Sequence, residues 1–285
     1  MSNLVPDGWS LDKIGAKISL IPGFAFNSLE FLAKGVPLIR MGNLYNNKLD
    51  LSRSPKFLPP TFLEKHSRFV IRENDIVFSM TGTAGKEDYG FAVKIPVNSP
   101  VCLLNQRVAK IEAKKGASQS FVLHLLHSRP FLDEIYMAGS GTKQANLSSN
   151  DILSVNLLFP PLHEQQKIAI ILTSVDEVIE KTQAQIDKLK DLKTGMMQEL
   201  LTNGIGHTEF KDSPVGRIPA EWDVGTIDQY AHVSTGSKNT QDKVSNGKYP
   251  FIVRSQKVAF INSYSFDEEA ILTAGDGVGT GKVFH

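Results

Sequence analysis

A single cysteine, Cys102, serves all 285 residues. One thiol forms no internal disulfide, so no disulfide framework holds this fold, and the chain suits a reducing cytoplasm. Cys102 lies in VCLLNQRVAKI, a strand-like stretch, and reads as a core residue, not a nucleophile. Long apolar runs are missing as well. The longest near the central helix is Ile168–Leu172, far short of the ~18 residues that mark a membrane span, so no membrane segment is expected. The start, MSNLVPDGWSLDK, lacks a basic stretch followed by an apolar one, which argues against a secretory signal. The remaining composition, 41% hydrophobic and 21% charged, is that of an ordinary globular protein, with length for about two domains.

Catalytic signatures are also scarce. In Gly275–Lys282 (GDGVGTGK), Asp276 stands where a P-loop needs its first glycine and Val283 where it needs a hydroxyl, and no helix follows to present amides to phosphate. Thr81–Lys86 (TGTAGK) fails likewise. Both read as turns that let backbone approach something closely. His124 and His127 have no acidic or cysteine partner at metal-ligand spacing and read as structural or surface residues. Glu112-Ala113-Lys114, with Asp88 upstream, has nuclease-like spacing, but such triplets are common at strand ends. The Asn/Asp-Pro-Pro-aromatic grip of a base methyltransferase is absent, since Phe159-Pro160-Pro161-Leu162 lacks the amide or acid. No catalytic residue, metal site or cofactor is therefore assigned.

What is present is strand-rich. VPLIRM, FVIREN, DIVFSM, FAVKIP and VCLLNQRVAKI are short apolar runs divided by Gly, Pro and Asn. Residues 118–137 have helical spacing, broken or restarted at Pro130. Residues 147–162 read as a short helical start, a strand, then the opening of a long helix. Residues 1–159 thus form a mixed, strand-rich α/β domain.

That domain type occurs twice. Pro6 and Trp9 match Pro219 and Trp222 at an offset of 213, and Pro37 and Ile39 match Pro250 and Ile252 at the same offset. NDIVFSMTGTAGK (74–86) resembles EEAILTAGDGVGTGK (268–282) in order and character. Three matches in one order point to two copies of one domain. The second, within residues 204–285, stops in an apparent strand and is shorter than the first.

Between the copies, residues 160–203 read as one helix. Pro160-Pro161 opens it and Asn203-Gly204 closes it. Ile168, Leu172, Val175, Ile179, Ile186, Leu189, Met196 and Leu200 are the apolar members of a 4-3 seam in which Thr182 and Lys193 are the exceptions. Such a seam marks a coiled coil, and a helix this long outruns the core of one domain.

The remaining chemistry is that of recognition. Residues 1–159 carry 18 Lys/Arg against 13 Asp/Glu, a net +5, while residues 160–201 (5 against 7) and 202–285 (8 against 10) are each at −2. Ser140, Thr142, Lys143 and Gln144 lie in a polar glycine loop, and Arg40 and Asn43 follow an apolar strand. Lys and Arg suit phosphate or guanine, and Gln and Asn pair bidentately with adenine. Thr81, Thr83 and Lys86 join this candidate DNA-binding set.

Pro160-Pro161-Leu162-His163-Glu164-Gln165 and the stretch from Leu200-Leu201-Thr202 through Phe210–Pro219 to Trp222 carry a resemblance over essentially the whole chain. So do Gly139–Gly141 with Leu147-Ser148, and Leu104-Asn105-Gln106. The chain resembles the DNA-specificity subunit of type I restriction–modification systems. The resemblance implies two target-recognition domains on paired antiparallel helices. Each domain reads half of a split double-stranded DNA target, and the helices act as ruler and as dock for methyltransferase and restriction (translocase/nuclease) subunits. It implies a non-catalytic chain, and one truncated within its second recognition domain. The unpaired seam then calls for a helix from elsewhere, either a second copy packed antiparallel or a methyltransferase subunit. A helical adaptor that reads no DNA, and a nucleotide-binding enzyme, are the competing readings.

Overall fold

The computed structural model describes residues 5–139, 144–255, 257–275 and 280–285. By its contacts the chain divides into two units, Met1–Lys190 and Asp191–His285.

Unit one is built on two four-stranded sheets. The first is antiparallel throughout, in the order β10 (Ala92–Lys94), β8 (Ile76–Ser79), β12 (Val108–Ala113), β2 (Ile18–Pro22). The second runs β6 (Phe57–Leu58), β3 (Val36–Ile39), β11 (Cys102–Leu104), β7 (Val70–Ile71), with β11 parallel to β3 and the other pairs antiparallel. Strand alternation divides the side chains between two faces. Ile76, Phe78, Ala109 and Ile111 meet the helices on one side of the first sheet. Val77, Val93 and Val108 meet Ile39, Ile71, Cys102 and Leu104 on the other. A third cluster joins Phe26, Val36, Leu38, Leu58, Phe62 and Leu103. Burial pushes the Cys102 thiol up to about 11, so it stays protonated and packs as a small apolar group. The tight hairpin β4 (Leu44–Tyr45) to β5 (Lys48–Leu49) turns on Asn46 and Asn47, both at positive φ, as a two-residue loop of this twist requires.

The helices follow their local signals. A four-residue helix, α1 (Phe62–Lys65), precedes β7. The Pro130 break is real: α2 (Gln119–Leu126) stops, and α3 (Arg129–Ala138) restarts with the proline in its first turn. A capping box opens α4 (Ser149–Leu153), the Asp151 amide donating to Ser148 Oγ and the Ser148 amide to Asp151 Oδ2. Two ribbons complete the unit, β1 (Ser10–Lys13) with β14 (Asn156–Phe159), and β9 (Thr81–Thr83) with β13 (Gln144–Asn146).

The long helix, α5, runs Leu162–Asn203, about 60 Å at 1.5 Å per residue. Only Gln165 and Ala169 of it are buried. Gln165 donates to the Pro160 carbonyl at 2.9 Å and accepts from the Ser118 amide at 3.0 Å, tying the helix head to α2. Trp9 Nε1 donates to Glu164 at 3.1 Å. His124 and His127 are structural, as expected. His124 reaches Thr173 Oγ1 at 3.0 Å, and His127 reaches the Ala92 carbonyl at 2.8 Å. Among the described residues no helix is long and apolar enough to cross a membrane.

Unit two begins within α5. Gly204, at φ +68°, follows the helix, its amide donating to Leu200. The hairpin β15 (Phe210–Ser213) to β16 (Gly216–Pro219) comes next, then the short ribbons β17 (Tyr249–Phe251) with β18 (Ala259–Ile261) and β19 (Leu272–Thr273) with β20 (Val283–Phe284). Among the described residues past Gly204, only Ile218, Pro219 and Ile261 are buried. The two Pro-x-x-Trp stretches make the same turn. The Trp9 amide donates to the Pro6 carbonyl and the Trp222 amide to the Pro219 carbonyl, each at 3.0 Å.

Candidate nucleic-acid interface

The β9–β13 ribbon pairs Thr81 with Asn146, Gly82 with Ala145, and Thr83 with Gln144. Alternation therefore gathers Thr81, Thr83, Gln144 and Asn146 on one face. The other face turns inward. Ala145 is buried, and a Cβ at Gly82 would strike Asp88 and Tyr89. So Gly82 is a close-approach glycine, whereas Gly85, Gly275 and Gly281 open onto free space and carry no such constraint. Within the ribbon Thr81 Oγ1 donates to Asn146 Oδ1 at 3.3 Å, and Thr83 donates through its amide and hydroxyl to the Asp88 carboxylate at 2.6 and 2.7 Å. Burial raises the Asp88 pKa, but the Thr83 bonds and nearby Lys86 outweigh it and hold the carboxyl below its ordinary value.

A cleft of about 720 Å³ lies in the same unit. Arg40, Met41, Lys56, Asn105, Gln106 and Arg107 line it, with Phe26, Ser28 and Phe31. Asn105–Val108 is a turn closed by the Val108 amide on the Asn105 carbonyl at 3.0 Å, which leaves Gln106 and Arg107 exposed. No carboxylate lines the cleft, and among the described residues Arg40, Lys56 and Arg107 enter no ion pair. Cleft and ribbon touch through the backbone. The Met80 amide, just before Thr81, donates to the Arg107 carbonyl at 3.0 Å.

The residues expected to face DNA therefore separate. Thr83, Lys86 and Gln144 come together on or beside the ribbon, and Arg40 lines the adjoining cleft. Asn43 does not face outward. Its Oδ1 accepts from the Arg40 amide and its Nδ2 donates to the Asp50 and Arg53 carbonyls, so it is a buried brace. Thr81 is also buried, at the ribbon's root. Ser140, Thr142 and Lys143 lie outside the described residues, as do Asp276–Gly279 of the second glycine string. Asn146 belongs to the polar loop 139–146 that the sequence already offered, whereas Lys56 and Arg107 were missed; Lys56 reaches the cleft only through pairing of distant strands. The nuclease-like residues are engaged elsewhere. Glu112 pairs with Lys110 at 3.0 Å, and Lys114 donates to the Gly15 carbonyl at 2.6 Å. Among the described residues no cluster of three His, Cys, Asp or Glu is placed to hold a metal.

The seam of α5 is solvent-facing. Ile168 is the exception, since it packs partly on the domain core. Leu172, Val175, Ile179, Ile186, Leu189, Met196 and Leu200 are 41–63% exposed. Ile171, Val178 and Leu192 are also exposed, each one position before a seam position, but Lys181, Gln185 and Lys188 lie between Val178 and Leu192, so they make no continuous second row.

Comparison with known proteins agrees with this architecture. The chain is 26% identical over 205 residues to the type I restriction enzyme MjaVIII specificity subunit of Methanocaldococcus jannaschii, covering 70% of this chain and 47% of that relative. It is 27% identical to the EcoAI specificity subunit of Escherichia coli, covering 62% of this chain and 29% of that one. The chain spans about half the length of the first two curated relatives it matches. The crystal structure of the type I restriction–modification S subunit from M. genitalium shares its fold, with a TM-score of 0.58 at 14% identity, over 100% of this chain and 70% of that one. Residues 6–191 match the family model described as type I restriction modification DNA specificity domain, and the chain belongs to that family.

Proposed function

We propose that this chain is a non-catalytic DNA-recognition subunit, in which the β9–β13 ribbon reads base edges and the adjoining cleft holds the phosphate backbone. The observation that supports this reading is a polar ribbon tied by the Met80–Arg107 backbone bond to a cleft lined by three cations and, among the described residues, no carboxylate. A two-stranded ribbon fits the major groove, and Gln144 and Asn146 bear the amides that pair with adenine.

Methyl transfer and cleavage then belong to partner methyltransferase and restriction subunits, with α5 as their dock. The main seam suits one helix, supplied by a second copy packed antiparallel. A methyltransferase subunit is the other candidate to cover the same seam. A homodimer of this kind would read a symmetric split target.

Titration against duplex DNA over a salt series tests the division of labour. Changing Arg40, Lys56 and Arg107 together to Gln should weaken binding to every sequence and reduce the salt slope by about 2.7, at ~0.9 per phosphate contact. Gln144→Ala should instead relax sequence preference, costing roughly 1–3 kcal/mol of discrimination. An unchanged salt slope in the triple variant would remove the cleft from the DNA surface.

A further inference from the structure

The segment Phe24–Leu32, FAFNSLEFL, leaves β2 and is unusually apolar for a connection. Most of its apolar residues are anchored. Phe26 is buried in the third core cluster, Phe31 packs against that cluster, and the Phe24 ring lies tilted against His66, 4.6 Å between centroids. Between these anchors the chain makes one tight turn, Ser28–Glu30. Asn27 Oδ1 accepts from the Leu29 amide at 3.0 Å, and the Asn27 amide donates to Glu30 Oε2 at 3.3 Å. This reciprocal cap holds the turn rigid and occupies its carboxylate. Leu29 stands at the tip, 89% exposed, the most exposed large apolar side chain among the described residues. Ser28 and Phe31, on either side of it, line the cleft of Arg40, Lys56 and Arg107.

A flexible loop would fold such a leucine against the protein, whereas a capped turn keeps it in water. The cations beside it, free of ion pairs, favour a polyanion as occupant over an apolar protein surface. Between the phosphate rows of a duplex, the apolar surfaces are base faces and thymine methyls. We propose that Leu29 is an apolar probe that packs on bases beside the cleft, a specificity determinant separate from the polar ribbon. Exposed leucines are known to press between base steps and unstack them. This inference rests on the reading of the chain as a DNA-recognition subunit.

The test uses the full chain and a duplex enriched by the wild-type chain from a random-sequence pool, with the unenriched pool as reference. Leu29→Ala should lose affinity for the enriched duplex by roughly tenfold, the cost of uncovering part of a leucine. It should leave affinity for the pool and the salt slope unchanged. Leu29→Met should restore most of the preference, and 2-aminopurine placed along the enriched duplex should brighten with wild-type chain and not with Leu29→Ala. Equal affinity of wild type and Leu29→Ala for the enriched duplex overturns the inference and leaves the DNA reading intact. An equal loss on duplex and pool overturns it too, since a base contact discriminates. If the wild-type chain enriches no sequence, the DNA reading fails and this inference with it.

Discussion

Gln165 sits near the head of a long helix with 2% of its surface exposed, and its amide group is spoken for at both ends. Replacing it with Ala removes the partner of the buried Pro160 carbonyl and of the half-buried Ser118 amide. Each orphaned group costs about 1–3 kcal/mol. Urea unfolding of Gln165→Ala should therefore show a midpoint well below wild type, whereas Gln166→Ala, one residue on and exposed, should change little. An equal effect of the two substitutions would refute the brace. Asn43 is a second case of the same chemistry. In sequence it stands after an apolar strand beside a cation, as a DNA-reading asparagine would. Its fate is decided by three backbone groups of the Asp50–Arg53 loop and Arg40, which only the folded loop brings to it. A polar side chain reads alike in sequence whether it faces a ligand or closes a turn, so the bracing roles of Asn43 and Gln165 were not legible, while Gln144 falls on the ribbon and Arg40 in the cleft lining.

At the scale of elements, the contact between α2 and α5 should respond to pH. Burial lowers the pKa of His124 from 6.5, and Asp176, 3.7 Å away, opposes the shift only in part; the positive field of His127 adds to it. The folded state thus binds a proton less readily than the unfolded one. Its stabilising contribution is complete above pH 6.5 and is lost as the pH falls through 6.5 towards the lower folded value. Wild type should lose more thermal stability between pH 7.5 and pH 5.5 than His124→Gln does, and parallel losses would exclude His124 as the source. The helices themselves were readable because their signals are local. Pro130 splits α2 from α3, Pro160-Pro161 precedes α5, and Gly204 follows it. The sheets were readable only as strands. That β11 lies parallel to β3 while β12, four residues further on, joins the other sheet depends on pairings across the chain, and no short window records them.

For the molecule as a whole, the decisive surface is the exposed seam. Burying one Leu or Ile is worth roughly 1.5–3 kcal/mol, and seven seam side chains from Leu172 to Leu200 stand in water. The chain should sediment as a dimer at tens of micromolar. Ile186 and Leu189 lie midway, where antiparallel copies cross, so changing both to Glu should return it to a monomer without altering its circular dichroism in unit one's strands. A wild-type monomer at that concentration would eliminate the second copy as the seam's occupant and leave a methyltransferase helix. The twin Pro-x-x-Trp turns bear on how such a protein changes over generations. One lies before the helix and one after it, and both close the same backbone bond at the same length. A genetic crossover within either turn, joined to the matching point of the other, would keep that bond while exchanging an entire domain and its helix. If each copy reads one half-site, as proposed above, inheritance can shuffle what is read as whole cassettes, without having to reinvent the joints.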